Sequence, residues 1–317
     1  MYMPYLHGKQ EELLAVLELC PSLSSLVVPI LKPVDVKPTY TVRRLARIGE
    51  SVRYALITNS DKGPYGQPPS YAQVAATLKH PSIAKNAHNV FPAFEIRGGT
   101  SLLEFAQFNR DFSDRRCVVI HKNHTYTPTQ LRKTTRPSVD PVHVFIEPGV
   151  SADAFSSLPS AARIVVRNGF HARERNSEYP SQSAFDDIVY QHRQRNSHGF
   201  GDFCMIGDAY SATGGPARAV ALHLTEDRGT GLVMNHFVSH SAGLDTTTMY
   251  FEALDRLASY VGNPPRANLD SHGTKAYLQS YLNRHFPNLG PPKRWSIMHH
   301  IELVQRILVS QSSTARF

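Results

Sequence analysis

The feature that most restricts this chain is a series of short apolar runs, each closing on a polar residue. Residues 26–31 end at Lys32, and Tyr54-Ala55-Leu56-Ile57 leads into Thr58-Asn59-Ser60. Residues 90–94 stop at Glu95, 117–120 at His121, 142–146 at Glu147, 164–166 at Arg167, and 203–206 at Gly207-Asp208. Runs without polar alternation mark strands buried on both faces. Segments with helical spacing lie between several of them, at residues 10–19, 100–112 and 185–195, with a weaker one at 151–158. Apolar strands separated by helices imply parallel βαβ units, and this many units favour a (βα)8-like TIM barrel over an open doubly wound sheet. No G-x-G-x-x-G turn and no G-x-x-x-x-G-K-[ST] loop occurs, so neither a dinucleotide fingerprint nor a P-loop is present.

The pattern changes after Asp208. Only about ten residues separate that run from residues 219–224, fewer than a parallel crossover needs. With residues 232–238 following a Gly- and Asp-containing turn, an antiparallel meander is expected over 203–239, distorting the last part of the barrel. Three helices are expected at 246–261, 271–284 and 298–309, with the Pro/Gly-rich stretch 287–292 as a loop. With 317 residues and 41% hydrophobic content, the expectation is one barrel domain over 1–317, residues 246–317 being helices packed on it.

The formal charge of +8 suits phosphate-bearing partners: nucleotides, nucleic acid or phosphorylated metabolites. No stretch approaches the roughly 18–20 apolar residues that span a bilayer, and the start lacks a basic region followed by an apolar one. A cytoplasmic protein without membrane association is expected. Cys20, Cys117 and Cys204 are odd in number and sit in apolar runs, the pattern of reduced thiols.

In a parallel barrel the site lies at the C-terminal mouth of the strands. Lys32, Asn59, Glu95, His121, Glu147, Arg167 and Asp208 are therefore expected to converge. Glu95, His121, Glu147 and Asp208 are the catalytic candidates, with Glu147 or His121 as acid or base toward a phosphate ester. Arg167 would clamp a phosphate oxygen. The competing reading is ordinary solvated strand ends. Arg163, Arg167, Arg173 and Arg175, with His171, form the densest basic run, either a phosphate or nucleic-acid patch or a loop paired with Glu174 and Glu178. Asp202, Gly214 and Gly215 belong to a glycine-rich stretch that either admits an anion to the backbone or makes tight turns. His223, His236, His240, His299 and His300 show no metal-ligand spacing, and no Ser-His-Asp order or G-x-S-x-G elbow is found. Tyr5, His7 and Lys9 alternate as an extended segment does.

Tyr5-Leu6-His7-Gly8-Lys9-Gln10 with Glu12, and then Pro29-Ile30-Leu31-Lys32-Pro33, resemble the "beta protein" family named after a phage T4 product. Three later stretches resemble a bacterial branch of it. They are Arg167-Asn168-Gly169-Phe170 with Arg175-Asn176 and Tyr179-Pro180; Gly199-Phe200-Gly201-Asp202 through Ile206-Gly207-Asp208 to Ser211 and Gly214-Gly215-Pro216; and Met298-His299-His300-Ile301-Glu302. The resemblance spans nearly the whole chain and implies a bacterial or phage protein associated with mobile and defence genes. His7 departs from the basic residue usual there, and Lys32 from the acid that often ends the first strand. Two functions are expected as alternatives. One is a barrel that binds or hydrolyses a phosphate-containing ligand, phosphodiesterase-like. The other is a non-catalytic interaction component that binds nucleic acid or a companion protein from the same gene cluster. No cofactor follows from the sequence.

Overall fold

The computed structural model describes residues 1–34, 38–62, 70–134, 139–158, 161–195, 197–210, 218–240, 245–262 and 267–314. Its strands are β1 (Tyr5–Leu6), β2 (Ile30–Leu31), β3 (Tyr54–Ile57), β4 (Val90–Ile96), β5 (Val118–His121), β6 (Val142–Ile146), β7 (Ala162–Arg167), β8 (Gln182–Asp186), β9 (Gly199–Asp202), β10 (Ala221–Asp227) and β11 (Leu232–Val238). Its helices are α1 (Gln10–Leu19), α2 (Pro38–Gly49), α3 (Ser70–Leu78), α4 (Pro81–Ala84), α5 (Leu102–Asp111), α6 (Pro128–Thr134), α7 (Ile188–Gln191), α8 (Thr246–Gly262), α9 (His272–Leu282) and α10 (Gly290–Thr314).

β1 to β7 and then β9 pair in that order into one eight-stranded sheet, every neighbour parallel. A parallel bridge between Tyr2 and Phe200 joins the last strand to the segment leading into the first. There the Met3 N–H donates to the Phe200 carbonyl (2.8 Å) and the Phe200 N–H to the Met1 carbonyl (3.1 Å). The expected (βα)8-like barrel is therefore what the chain forms. Its central strands are apolar because both their faces are covered.

The chain divides into two compact units. The first comprises Met1–Leu13, Cys20–Arg167 and Gln191–Asp202 and holds the barrel sheet. The second comprises Leu14–Leu19, Asn168–Tyr190 and Phe203–Phe317. It holds a three-stranded antiparallel sheet of order β10-β11-β8. The expected antiparallel pair thus exists, but in a sheet of its own and not within the barrel. The eighth barrel strand is also displaced from the apolar run at 203–206 to the Gly-rich residues just before it. The reason is close approach: a Cβ on Gly199 would lie 2.3 Å from the Met1 carbonyl oxygen, and one on Gly201 2.1 Å from that of Met3. Only glycine lets the strand sit this close to its neighbour.

The helix expected at 185–195 starts later, because Gln182–Asp186 pairs with β11 and the Asp186 carboxylate accepts from the Ile188 N–H (2.6 Å). In the second unit Leu222, Leu224, Phe237, Met249, Leu254, Leu257 and Tyr277 form a continuous buried core. Ser271 and Thr274 cap α9 reciprocally. α10 begins at Gly290, earlier than periodicity implied, since Pro291 and Pro292 occupy a first turn where no backbone N–H is needed.

Candidate functional site at the barrel mouth

Residues paired across a parallel ladder share a face, and successive residues alternate. The Phe94 ring packs on Phe105 and Phe108 of α5 at 5.4 and 5.2 Å, so its row faces the helices. The opposite row, through Ala93, Ile57, Ala55, Ile30 and Tyr5, faces the barrel interior. Continuing that row toward the mouth by period two brings in Lys32, Asn59 and Glu95.

These three sequence-derived candidates meet. The Lys32 ammonium lies 3.2 Å from Glu95 Oε1 and 2.6 Å from Asp61 Oδ1. Arg97 spans the same two acids at 3.4 and 2.9 Å. The Tyr5 hydroxyl donates to Glu95 Oε2. The Asn59 amide donates to the Glu95 carbonyl, and its Oδ1 accepts from the Glu95 N–H, both at 2.8 Å. Glu95 is fully buried and Lys32 is 2% exposed. Burial alone would raise the Glu95 carboxyl, but the charges of Lys32, Arg97 and Lys122, with the Tyr5 bond, outweigh it and hold the group below the ordinary range. Asp61 is likewise lowered: burial opposes, and the Lys32 bond and the charges of Lys32, Arg97 and Lys62 prevail. Both acids are therefore carboxylates at neutral pH. Among the described residues, four cations (Lys32, Lys62, Arg97, Lys122) surround two carboxylates, leaving a formal charge of +2.

Tyr5, Asp61 and Arg97 were not among the strand-end candidates. Asp61 and Arg97 stand one inward step beyond Asn59 and Glu95, so the same alternation read two residues further would have found them. Tyr5 belongs to the alternating segment Tyr5, His7 and Lys9, of which Tyr5–Leu6 alone forms β1, the first barrel strand.

The remaining candidates do not join this cluster. His121, Glu147, Arg167 and Asp202 occupy the outward parity, because the first polar residue after an apolar run has no fixed phase. His121 is buried against Phe145 (4.6 Å, 8° between planes) and Phe155 (5.0 Å). Its Nε2 is 2.8 Å from His143 Nδ1 and its Nδ1 2.9 Å from His124 Nε2. Burial, then the neighbouring imidazoles, hold His121 well below the usual imidazole value, and burial holds His124 at about 4. Arg167 pairs with Glu147 (Nε to Oε2, 3.0 Å), with Arg195 at 3.7 Å from the same oxygen. Asp202 accepts from the Tyr2 hydroxyl (3.0 Å) and is 2% exposed.

Asp208 and Arg175 belong to the second unit. Asp208 follows Gly207, whose φ of +66° makes a left-handed turn, and Arg175 is exposed ahead of the short turn Asn176–Glu178. Gly214 and Gly215 lie outside the described residues. Of the second unit's histidines, His299 bonds Ser271 and the Thr225 carbonyl, and His300 bonds the Thr225 hydroxyl, tying α10 to α9 and β10.

Chemically, the mouth cluster offers fixed cations and an acceptor-only Glu95. It can hold an anion that adds to, or exchanges with, its carboxylates, and it has no proton to give from either acid. No helix of the described residues is long and apolar enough to cross a membrane. No protein-family model matches the chain, and no curated protein matches it either.

Proposed function

We propose that the C-terminal mouth of the barrel binds a small phosphate-bearing molecule of the nucleotide class. The observation that carries this reading is the inward cluster in which Lys32 and Arg97 are held together by Glu95 and Asp61, a balanced set to which Lys62 and Lys122 add a formal surplus of two positive charges. Arg97 is partly exposed and presents a planar fork suited to phosphate oxygens, while Lys62 adds an exposed point charge. Binding is proposed without hydrolysis, since His121 and Glu147 stand on the other side of the barrel wall and Glu95 is ionised. The same reading takes the chain as a bacterial relative of the phage T4 beta protein, working in the cytoplasm. Nucleic acid or a companion protein as the partner is the second reading, supported by the exposed Arg173 and Arg175.

A thermal-shift titration with AMP, ADP, ATP and inorganic phosphate tests it. At a hundredfold excess over Kd a ligand stabilises the fold by about 2.7 kcal/mol. The expected result is a rise in melting temperature for the unaltered chain that is lost in Arg97→Ala and reduced in Lys62→Ala. Equal shifts in all three proteins would reject the mouth as the site. Absence of any shift, together with oligonucleotide binding that weakens steeply with salt, would favour the second reading.

A further inference from the structure

We propose that Ser183, His236 and His223 form a nucleophile, base and positioning group that cleave a small carboxylic ester through an acyl-serine intermediate. The proposal is independent of the barrel-mouth reading, because all three residues belong to the second unit.

The three come from three adjacent strands. His223 of β10 and His236 of β11 are directly paired. Ser183 of β8 pairs with Met234, two residues from His236, so it sits diagonally across the ladder on the same face. The Ser183 Oγ is 2.8 Å from His236 Nε2, and His236 Nδ1 is 2.9 Å from His223 Nδ1. Hydroxyl to Nε2 and Nδ1 to a third acceptor is the geometry by which a serine is activated. The rings are fixed by aromatic neighbours. Tyr179 stacks on His236 (4.7 Å, 19°) and meets His223 edge-on at 4.8 Å, and Phe170 meets His223 edge-on at 5.2 Å. Such support is what a base needs to keep its aim. Ser183 itself is partly exposed on the edge strand of its sheet.

With the His236 proton on Nδ1, that N–H donates to His223 Nδ1, and Nε2 accepts the Ser183 hydroxyl. Burial, then the adjoining His236 ring for His223 and the Arg173 charge for His236, keeps both imidazoles neutral at pH 7, at about 3 for His223 and about 4 for His236. In the first step Ser183 Oγ bonds to the carbonyl carbon, and its proton moves to His236 Nε2. The bond to the alcohol oxygen then breaks, and the alcohol leaves with that proton. In the second step water adds to the acyl carbon, giving a proton to His236. The Ser183–acyl bond breaks, and the proton returns to Ser183 Oγ. The products are a carboxylic acid and an alcohol. Arg173 lies near enough for its charge to act on His236 and is exposed, so an ester carrying a negative group is favoured.

The unaltered full-length chain is treated with a fluorophosphonate probe, and the adduct is mapped by peptide mass spectrometry. An adduct on Ser183 is expected. Hydrolysis of p-nitrophenyl acetate is expected to fall about 10²- to 10⁴-fold in His236→Asn, and the acyl-enzyme burst is expected to vanish in Ser183→Ala. His223 acts through His236, so His223→Phe is expected to lower kcat with KM unchanged, and His223→Asn, whose amide oxygen can accept from Nδ1, to restore it. A folded chain without an adduct on Ser183, or hydrolysis by Ser183→Ala at the unaltered rate, would overturn the assignment. The labelling arm uses no variant, so misfolding of a mutant does not bear on it.

Discussion

Lys32 is the residue on which the barrel mouth turns. It is almost fully buried, and its ammonium sits between two carboxylates, one of them wholly inaccessible. Removing one partner of a buried pair leaves an uncompensated charge, which costs roughly 3–5 kcal/mol. Lys32→Met is expected to lose about that much, because Glu95 and Asp61 then lose the buried cation they share, and Arg97 is 3.4 Å from Glu95. Glu95→Gln keeps a hydrogen-bonding group of the same shape and is expected to lose less, roughly 1–3 kcal/mol. The double variant Lys32→Met/Glu95→Gln should fall well short of the sum, since the charge left unpaired by the first change is removed by the second. Urea unfolding midpoints at a common slope measure all three. A Lys32→Met midpoint within about 0.5 kcal/mol of the unaltered chain would mean that the pair imposes no constraint.

Among the elements, β9 is the one whose sequence and position are most tightly coupled. Its glycines stand where any side chain would strike the carbonyls of Met1 and Met3. Gly201→Ala also brings a methyl within 2.9 Å of Val166 Cγ2, and the nearest obstacle, a backbone oxygen, cannot swing away. A loss of roughly 2–3 kcal/mol is expected, with faster hydrogen exchange at the Met3 and Phe200 amides that link this strand to the chain start. Gly229→Ala is the contrasting change: nothing lies within 4 Å, and only its φ of +78° opposes it, for roughly 1–2 kcal/mol. Equal exchange at Met3 in both variants would dissociate β9 packing from barrel closure. The same coupling explains what the sequence could and could not reveal. β3 to β7 are apolar on both faces and stand out from the chain around them. β2 is the end of the apolar run 26–31, but β1 spans two residues and β9 carries two glycines, so neither of those has a run long or apolar enough to mark its bounds. At the mouth, Lys32, Asn59 and Glu95 were legible as strand ends, but which face each residue takes depends on ladder register, which sent His121, Glu147, Arg167 and Asp202 to the other side. Ser183, His236 and His223 have no linear signature at all, since they become neighbours only through the pairing of β8, β11 and β10.

Over the whole molecule, the sixteen histidines set the response to acid. His121 and His124 in the first unit, and His223, His236 and His299 in the second, are all held below the usual imidazole value, with burial the first cause in each. The sign follows from linkage. In the unfolded chain these rings take up protons near pH 6.5, whereas folded His124, His236 and His299 do so only at about 4 and His223 at about 3. Between those limits the unfolded state binds more protons, so stability is full above pH 6.5 and declines as the pH falls. Each ring contributes roughly 1.4 kcal/mol per pH unit while its folded form stays neutral. Glu95 and Asp61 do not share this window, because both are lowered and give up their contribution only at still lower pH. The loss between pH 6.5 and 4 is therefore mainly an imidazole effect, and the second unit, with three such rings against two, should feel it more steeply. Hydrogen exchange followed by mass spectrometry at pH 7, 6 and 5, corrected for the intrinsic rate, is expected to show β10, β11 and α10 losing protection before β3 to β6. His299→Asn should flatten the pH dependence of β10 and α10 while leaving that of the barrel strands alone. Protection that stays level from pH 7 to 5 in both units would mean that the buried imidazoles are protonated in the folded chain, and the account of their burial would fail.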